Sequence, residues 1–271
     1  MRKARYVILN PSGNLTALVT EWPGRESEAE ITSALMKESE QVAYLEPAVL
    51  PGSLARIRLM GGEFCGNDAM ASAGWLIRSS LQPGEHRAVP LEVSGAQGIV
   101  SCEIQKTAGG FRGTVRMPKV LSIAELKLEG ISFVSVRLEG ILHLIREASA
   151  PLTPGFAEEL LRRISFLRPA EEAIGLLDFN PETGFMRPLI YVRGSGTFVW
   201  ETACGSGSAA VGALRAWQKS SGDVVTSVFQ PGGVISVRAV AAQGQILEVS
   251  ITGDITFGME KEMLLADSSS V

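Results

Sequence analysis

The sequence predicts an α+β protein of two related halves, each presenting one cysteine at the start of a buried helix. Three observations carry this prediction. Short runs with strand-like patterning, separated by Gly, Pro and polar turns, dominate the chain. Helical periodicity is confined to a few segments. The string strand, turn, Cys-Gly-[Asn/Ser], small-residue helix occurs twice, around Cys65 and around Cys204. A length of 271 residues suffices for a sizeable core and for one or two domains.

In the first half, strands are expected at Tyr6–Leu9, Thr16–Val19, Gln41–Leu45, Ala55–Leu59, Val89–Val93, Ile99–Gln105 and Gly113–Met117. The second half repeats the style at Ile131–Leu138, Ile174–Asp178, Leu189–Val192, Thr197–Glu201, Val234–Val240 and Ile246–Ile251. Glu28–Glu38 and Phe156–Leu167 place Ile31, Leu35, Leu160, Leu161 and Ile164 at helical spacing, so each reads as an amphipathic surface helix. Asp68–Ser79 and Ser208–Lys219 differ, being crowded with Ala, Gly and Ser near their starts. Small residues let neighbours pack closely on every side, which predicts buried helices. Pro118 lies near the midpoint between the two cysteines and sets the expected boundary: one domain over 1–117, a second over 118–255, and a tail, 256–271, able to return to the first. Ser268–Ser270 reads as a frayed end.

Composition narrows the function. A net charge of -4 and a pI near 5.4 give no electrostatic reason to expect nucleic acid or an anionic membrane as partner. No apolar run approaches the ~20 residues that span a bilayer. Tyr6–Leu9, after the basic start, is too short for a signal peptide, so a cytoplasmic protein is expected. Three widely spaced cysteines argue against a disulfide framework. With no C-x-x-C pair and only His86 and His143 as histidines, no metal site is expected. The Gly-rich strings follow cysteine and form no G-x-G-x-x-G, and no pyridoxal phosphate fingerprint is evident, so no cofactor is expected either.

A helix start leaves backbone N–H groups unpaired and carries partial positive charge, which favours a thiolate and suits a carboxylate ligand. The glycine after each cysteine lets the backbone approach that ligand closely. Two such starts would supply two thiols and a double anion hole. Racemisation at an amino-acid Cα needs such a set: one thiolate removes the proton, one thiol returns a proton to the other face, and N–H donors stabilise the charge that develops. Cys102, inside the alternating run Ile99–Gln105, reads as a core residue. From the residues alone, Cys65 and Cys204 stand open between core packing and this chemistry.

The strings Gly62-Glu63-Phe64-Cys65-Gly66-Asn67 and Glu201-Thr202-Ala203-Cys204-Gly205-Ser206-Gly207 resemble the paired cysteine motifs of the diaminopimelate epimerase superfamily. Asn10-Pro11-Ser12-Gly13-Asn14 is similar to that superfamily's N-terminal substrate loop, and Gln41 to a glutamine on its next strand. The resemblance runs from near residue 10 to near residue 235. It implies two pseudo-symmetric domains, each a barrel-like β-sheet around a central helix, with the active site between them, and a homodimer. It makes Cys65 and Cys204 the acid–base pair and gives the α-carboxylate to the N–H groups of Gly66, Asn67, Gly205 and Ser206. Asn14, Gln41 and Glu201 become supporting substrate contacts; unaided, Asn14 reads as a turn residue and Gln41 as a solvated strand residue.

The departures bear on substrate. Where the epimerase carries Asn-x-Asp-Gly, Cys-Gly-Asn-Gly-x-Arg and Glu-Arg-Gly-x-Gly-Glu-Thr, this chain has Leu59-Met60-Gly61-Gly62, Cys65-Gly66-Asn67-Asp68-Ala69-Met70 and Ser195-Gly196-Thr197-Phe198-Val199-Trp200-Glu201-Thr202. Without the Asn and Arg for a distal carboxylate and ammonium, a less polar pocket near Leu59, Ile141 and Phe198 is expected. Asn10–Asn14, Glu63–Asn67, Pro188-Leu189-Ile190-Tyr191, Trp200-Glu201 with Cys204–Gly207, and Gln230-Pro231-Gly232-Gly233 are similar to the cofactor-independent histidine racemases of opine-type metallophore synthesis. This second resemblance implies an amino-acid substrate, histidine. An imidazole N–H needs an acceptor, and Glu46 and then Glu63 are its candidates. Racemisation of diaminopimelate, proline or hydroxyproline, a phenazine-biosynthesis-type isomerisation, and a ligand-binding module on the same fold are the competing readings.

Overall fold

A computed structural model describes residues 2–194 and 196–266. Ser195, the Thr197 side chain and the Ser268–Ser270 end lie outside the described residues. The first strands and helices are β1 (Arg2–Pro11), β2 (Thr16–Glu21), α1 (Glu28–Leu35), β3 (Gln41–Glu46), β4 (Ala55–Leu59), α2 (Gly66–Leu76), β5 (His86–Val93), β6 (Ile99–Thr107) and β7 (Gly110–Arg116). After them come β8 (Val120–Leu128), β9 (Ile131–Leu138), β10 (Ile141–Glu147), α3 (Pro154–Leu167), β11 (Ala173–Asn180), β12 (Phe185–Val192) and β13 (Thr197–Trp200). The chain then runs through α4 (Gly205–Lys219), β14 (Gly222–Gln230), β15 (Gly233–Ala242) and the long β16 (Gln245–Leu265). The chain divides into two compact units, Met1–Val115 with Asp254–Val271, and Arg116–Gly253.

In the first unit the strands follow in the order β1-β2-β3-β4-β5-β6-β7. The far half of β16 pairs with β1, from Arg2↔Leu265 to Pro11↔Ile255, and neighbours β7 as well, so the sheet closes on itself. Two connections are parallel: α1 lies in the crossover from β2 to β3, and α2 in that from β4 to β5. α2 is buried from Gly66 to Trp75 and is packed by β1, β5 and β6. Its small residues make that close packing possible. α1 instead covers the outer face, burying Ile31 and Leu35 against Ala17, Val19, Val42 and Tyr44.

The second unit orders its strands β15-β14-β12-β11-β10-β9-β8, with the near half of β16 on β15 and β13 on β12. Here too there are two parallel connections, β10 to β11 through α3 and β12 to β14 through α4. α4 is packed by β8, β9, β10, β14 and β15, while Leu160, Leu161 and Ile164 of α3 pack on Leu142, Leu144, Ile174 and Leu176. From β1 in the first unit and from β9 in the second, the connections follow one order: a hairpin, a parallel step over an outer helix, an antiparallel step, then a parallel step through a buried helix that follows a cysteine. β13 is inserted before α4 in the second unit only.

Three strands, β8, β10 and β14, were not signalled by patterning. β8 is exposed or half-buried along its whole length, so no alternating apolar face marks it. β10 is apolar and buried on both faces at Leu142, Leu144 and Ile145, which erases the period of two. Both buried helices start at the glycine after the cysteine, two to three residues earlier than their small-residue runs suggest. Among the described residues no helix is long and apolar enough to cross a membrane.

Candidate active site

Cys65 is half-buried and occupies the N-cap of α2, with extended backbone angles of φ −130° and ψ 115°. The helix ladder begins with Ala69 N–H on Cys65 O at 3.0 Å, so the N–H groups of Gly66 and Asn67 lie at the open end of the helix. The segment entering it is held by the end of β5. The Ser94 hydroxyl donates to Glu63 O at 2.8 Å and accepts from Leu59 N–H at 3.0 Å. Gly95, at φ 72°, lies against the backbone of Glu63 and Phe64, where a Cβ would come within 2.4 Å of Phe64 N.

The first unit also contains buried polar groups. Asn14 leaves a turn with Ser12 at φ 54° and Gly13 at φ 101°, is 1% exposed, and donates from Nδ2 to Glu40 at 3.0 Å. Gln41 opens β3 in register with Thr16 of β2. Asn14 Oδ1 and Gln41 Oε1 are buried acceptors without a partner among the described residues. Asp68, in the first turn of α2, is fully buried and makes no well-aligned hydrogen bond. Burial above all, then the Glu63 charge, lifts its carboxyl from 3.8 to about 7, with the Thr16 hydroxyl pulling the other way.

Cys204 is the N-cap of α4, at φ −106° and ψ 112°, and is 3% exposed. Its sulfur accepts from Gly207 N–H at 3.3 Å and lies 3.5 Å from Ser206 Oγ. Its backbone is clamped by Gln230 and Ser208. Gln230 Oε1 accepts from Cys204 N–H at 2.7 Å, Gln230 Nε2 donates to Ser208 Oγ at 2.9 Å, and that hydroxyl donates to Cys204 O at 2.8 Å. Gly232 N–H adds a bond to Thr202 O at 2.8 Å, so the turn from β14 to β15 grips the loop before the cysteine. Burial, followed by the charge of Glu201 and its hydrogen bond to the thiol, pushes Cys204 well above the usual thiol value; Ser206 and Gly207 oppose this. At rest this cysteine is a thiol.

Gly66 and Asn67 follow Cys65 at one helix start, and Gly205 and Ser206 follow Cys204 at the other, where Glu201 acts on the thiol. Asn14 and Gln41 lie in the same compact unit as Cys65. Glu46 is placed elsewhere. It ends β3 five residues after Gln41, on the opposite face of a strand whose register from Ala43 to Glu46 is unbroken. Its carboxylate is taken by Arg58 at 2.8 Å, Arg25 at 3.3 Å and Arg56 at 3.5 Å, so it is no open acceptor. Glu63 is exposed in the turn before Cys65. Leu59 is wholly buried core, and Phe198 packs on Tyr191, ring centroids 4.6 Å apart, beside the α3 cluster; neither reads as the apolar wall of a substrate pocket. Cys102 is wholly buried on β6, and burial pushes its thiol up to about 12.

Asp68, Ser208 and the clamping role of Gln230 escaped sequence reasoning. Gln230 stood in a recognisable Gln-Pro-Gly-Gly string, which was the available signal. Asp68 stood in view three residues after Cys65, but burial of a carboxyl cannot be seen in one sequence. Among the described residues no group of His, Cys, Asp and Glu could hold a metal ion.

A family model described as "Histidine racemase CntK N-terminal domain" matches residues 3–260. The histidine racemase of Staphylococcus aureus strain Mu50 is 28% identical over 257 residues, 91% of this chain and 92% of that protein. A histidine racemase of Fusobacterium nucleatum subsp. nucleatum is 26% identical over 216 residues, covering 76% of this chain and 78% of its own length. Among solved structures, a hydroxyproline epimerase from Agrobacterium vitis superposes with a TM-score of 0.73 at 16% identity, covering 99% of this chain and 95% of its own. A Bacillus anthracis phenazine biosynthesis protein of the PhzF family does so at 0.70 and 15% identity, covering 98% and 100%. These two share the fold. With the family model matched over nearly its whole length, the chain belongs to the histidine racemase family and is an amino-acid isomerase.

Proposed function

We propose that this protein interconverts L- and D-histidine at Cα without a cofactor, Cys65 and Cys204 acting as the two acid–base groups. The observation that carries the reading is the repeated device: each cysteine caps a buried helix and is followed by glycine, in a chain of the histidine racemase family. The N–H groups of Gly66, Asn67, Gly205 and Ser206 serve the α-carboxylate, where helix-start donors stabilise the negative charge that grows as the Cα proton leaves. Cys204, resting as a thiol beside Glu201, is the proton donor of one direction. In the other direction it must first be a thiolate, and Cys65 exchanges roles with it.

The imidazole of the substrate brings an N–H that needs an acceptor. Asn14 Oδ1 and Gln41 Oε1 have that capacity unmet, whereas Glu46 is committed to arginines. D-Histidine made in this way suits an opine-type metallophore synthesis as its consumer.

The test is a chiral assay of L-histidine with purified protein and no added cofactor. Racemisation is expected, and Cys65→Ala and Cys204→Ala should each lose it by at least about 1,000-fold. Cys102→Ala should stay near wild type, and circular dichroism should confirm that all three fold. Full activity in either of the first two variants overturns the two-thiol reading. Turnover of another amino acid in place of histidine overturns the substrate.

A further inference from the structure

His143 sits at the centre of β10, wholly buried in an apolar strand. Val136 of β9 and Gly175 of β11 are its register partners on either side. The niche is built for the ring: a Cβ on residue 175 would come within 2.2 Å of His143 Nδ1 and 2.7 Å of Cε1, so only glycine leaves the room. His143 Nε2 lies 3.0 Å from Ser206 Oγ, and Ser206 Oγ lies 3.5 Å from Cys204 Sγ. Nδ1 has no partner among the described residues.

The direction of this chain follows from hydrogen-bond accounting. A neutral imidazole has one N–H and one lone pair. A proton on Nδ1 would bury a donor without an acceptor, which costs more than burying an unused lone pair. The proton therefore sits on Nε2 and is donated to Ser206 Oγ. The single proton of the Cys204 thiol goes to the Glu201 carboxylate, so between Sγ and Ser206 Oγ the hydroxyl is the donor. Burial alone depresses His143 from 6.5 to about 3, so the ring stays neutral and the chain keeps one direction throughout the working range.

We propose that His143 is a positioning residue which, through Ser206, holds a hydroxyl proton on the sulfur of Cys204 and so supports that sulfur whenever it must act as a base. This rests on the reading that Cys204 is one of the two acid–base groups. Two side chains then pull on the sulfur in opposite senses, with the Gly207 N–H on the side of Ser206. The Glu201 carboxylate accepts from the thiol and keeps its proton; the Ser206 hydroxyl donates to the thiolate and favours its loss. Glu201 is the charged group acting on Cys204, and no charged side chain shifts His143 from β9, β11 or α4. A residue that must alternate between acid and base needs both. In the base step the Cα–H bond breaks, its electrons stay on the substrate, and an S–H bond forms at Cys204. Ser206 and His143 keep their own protons.

The experiment reads the Cys204 thiolate directly, by ultraviolet titration of the protein against Cys204→Ala, which identifies the Cys204 step whether or not the chain racemises anything. In Ser206→Ala and His143→Phe that step should move up by about one pH unit, the worth of a hydrogen bond to a charged sulfur. His143→Gln, which keeps a donor near the place of Nε2, should restore most of it, and the racemisation pH profile should move in parallel. An unmoved step in folded Ser206→Ala overturns the proposal. Nitrogen-15 NMR of the unmodified protein supplies a check that no folding failure can remove. It should find His143 as the Nε2–H tautomer, unchanged from about pH 5 to about pH 9. An Nδ1–H tautomer, or titration within that range, overturns it.

Discussion

Asp68 is the residue whose chemistry departs furthest from its appearance in the sequence. As a carboxylate it would be a buried anion without a cation beside it, and burial lifts its value from 3.8 to about 7. The folded chain therefore keeps a proton that the unfolded chain has released. The stabilisation belonging to that proton is complete below the unfolded value and is lost as pH rises through about 7. By then the folded state carries a penalty of up to about 4 kcal/mol. Asp68→Asn removes the titration. Urea unfolding at about pH 5 and about pH 8 should show wild type weakening between them by more than the variant does, with the variant the more stable at the higher pH. Equal pH dependence in the two proteins would mean that Asp68 ionises freely in the fold. The same limit on legibility applies to Glu46 and His143. A glutamate near the end of a strand looks available until three arginines are found on it. A histidine in an apolar run gives no hint of a serine 63 positions away. Partners made by tertiary packing leave no local trace. Cys102, by contrast, was legible, because its alternating strand already declared it core.

At the scale of elements, what could be read was what carries a local period or a repeated string. The two Cys-Gly helix starts and the small-residue helices behind them are of that kind, and both helices are buried as their composition requires. β8 and β10 are not, since a strand with no buried position and a strand buried on both faces both lack alternation. Also illegible was how the loop before Cys65 is held. Gly95 presses on it at φ 72°, with no room for a Cβ beside Phe64 N. Gly98, at φ 76°, has nothing within 4 Å of the same position. Replacing either glycine by alanine adds left-handed strain of about 1–2 kcal/mol. Only Gly95→Ala also pushes the backbone that carries Cys65. Both variants should lose comparable stability from strain, with Gly95→Ala losing somewhat more. Racemisation should fall at least about 10-fold in Gly95→Ala and stay near wild type in Gly98→Ala. Equal activities in the two would show that this clamp does not position the cysteine.

At the scale of the whole molecule, the two cysteines lie in different compact units, each tied to its own helix and its own clamp: Ser94 and Gly95 for one, Gln230 and Ser208 for the other. The proposed mechanism uses both cysteines as bases, and two bases leave an isotopic signature that one base cannot. A thiol exchanges its proton with water quickly, so in D2O the donor cysteine carries deuterium before each turnover. The proton taken from the substrate goes to the other sulfur and is lost to solvent after product leaves. Starting from L-histidine in D2O and stopping at about a tenth of full conversion, the D-histidine formed should be almost wholly deuterated at Cα, while the recovered L-histidine keeps its protium. A single group acting on both faces would instead return part of the original proton to the product, and a ligand-binding module would label neither enantiomer. Mass spectrometry of the separated enantiomers decides among the three. Protium in more than a small fraction of the D-histidine would overturn the two-base mechanism even if both cysteine variants prove inactive.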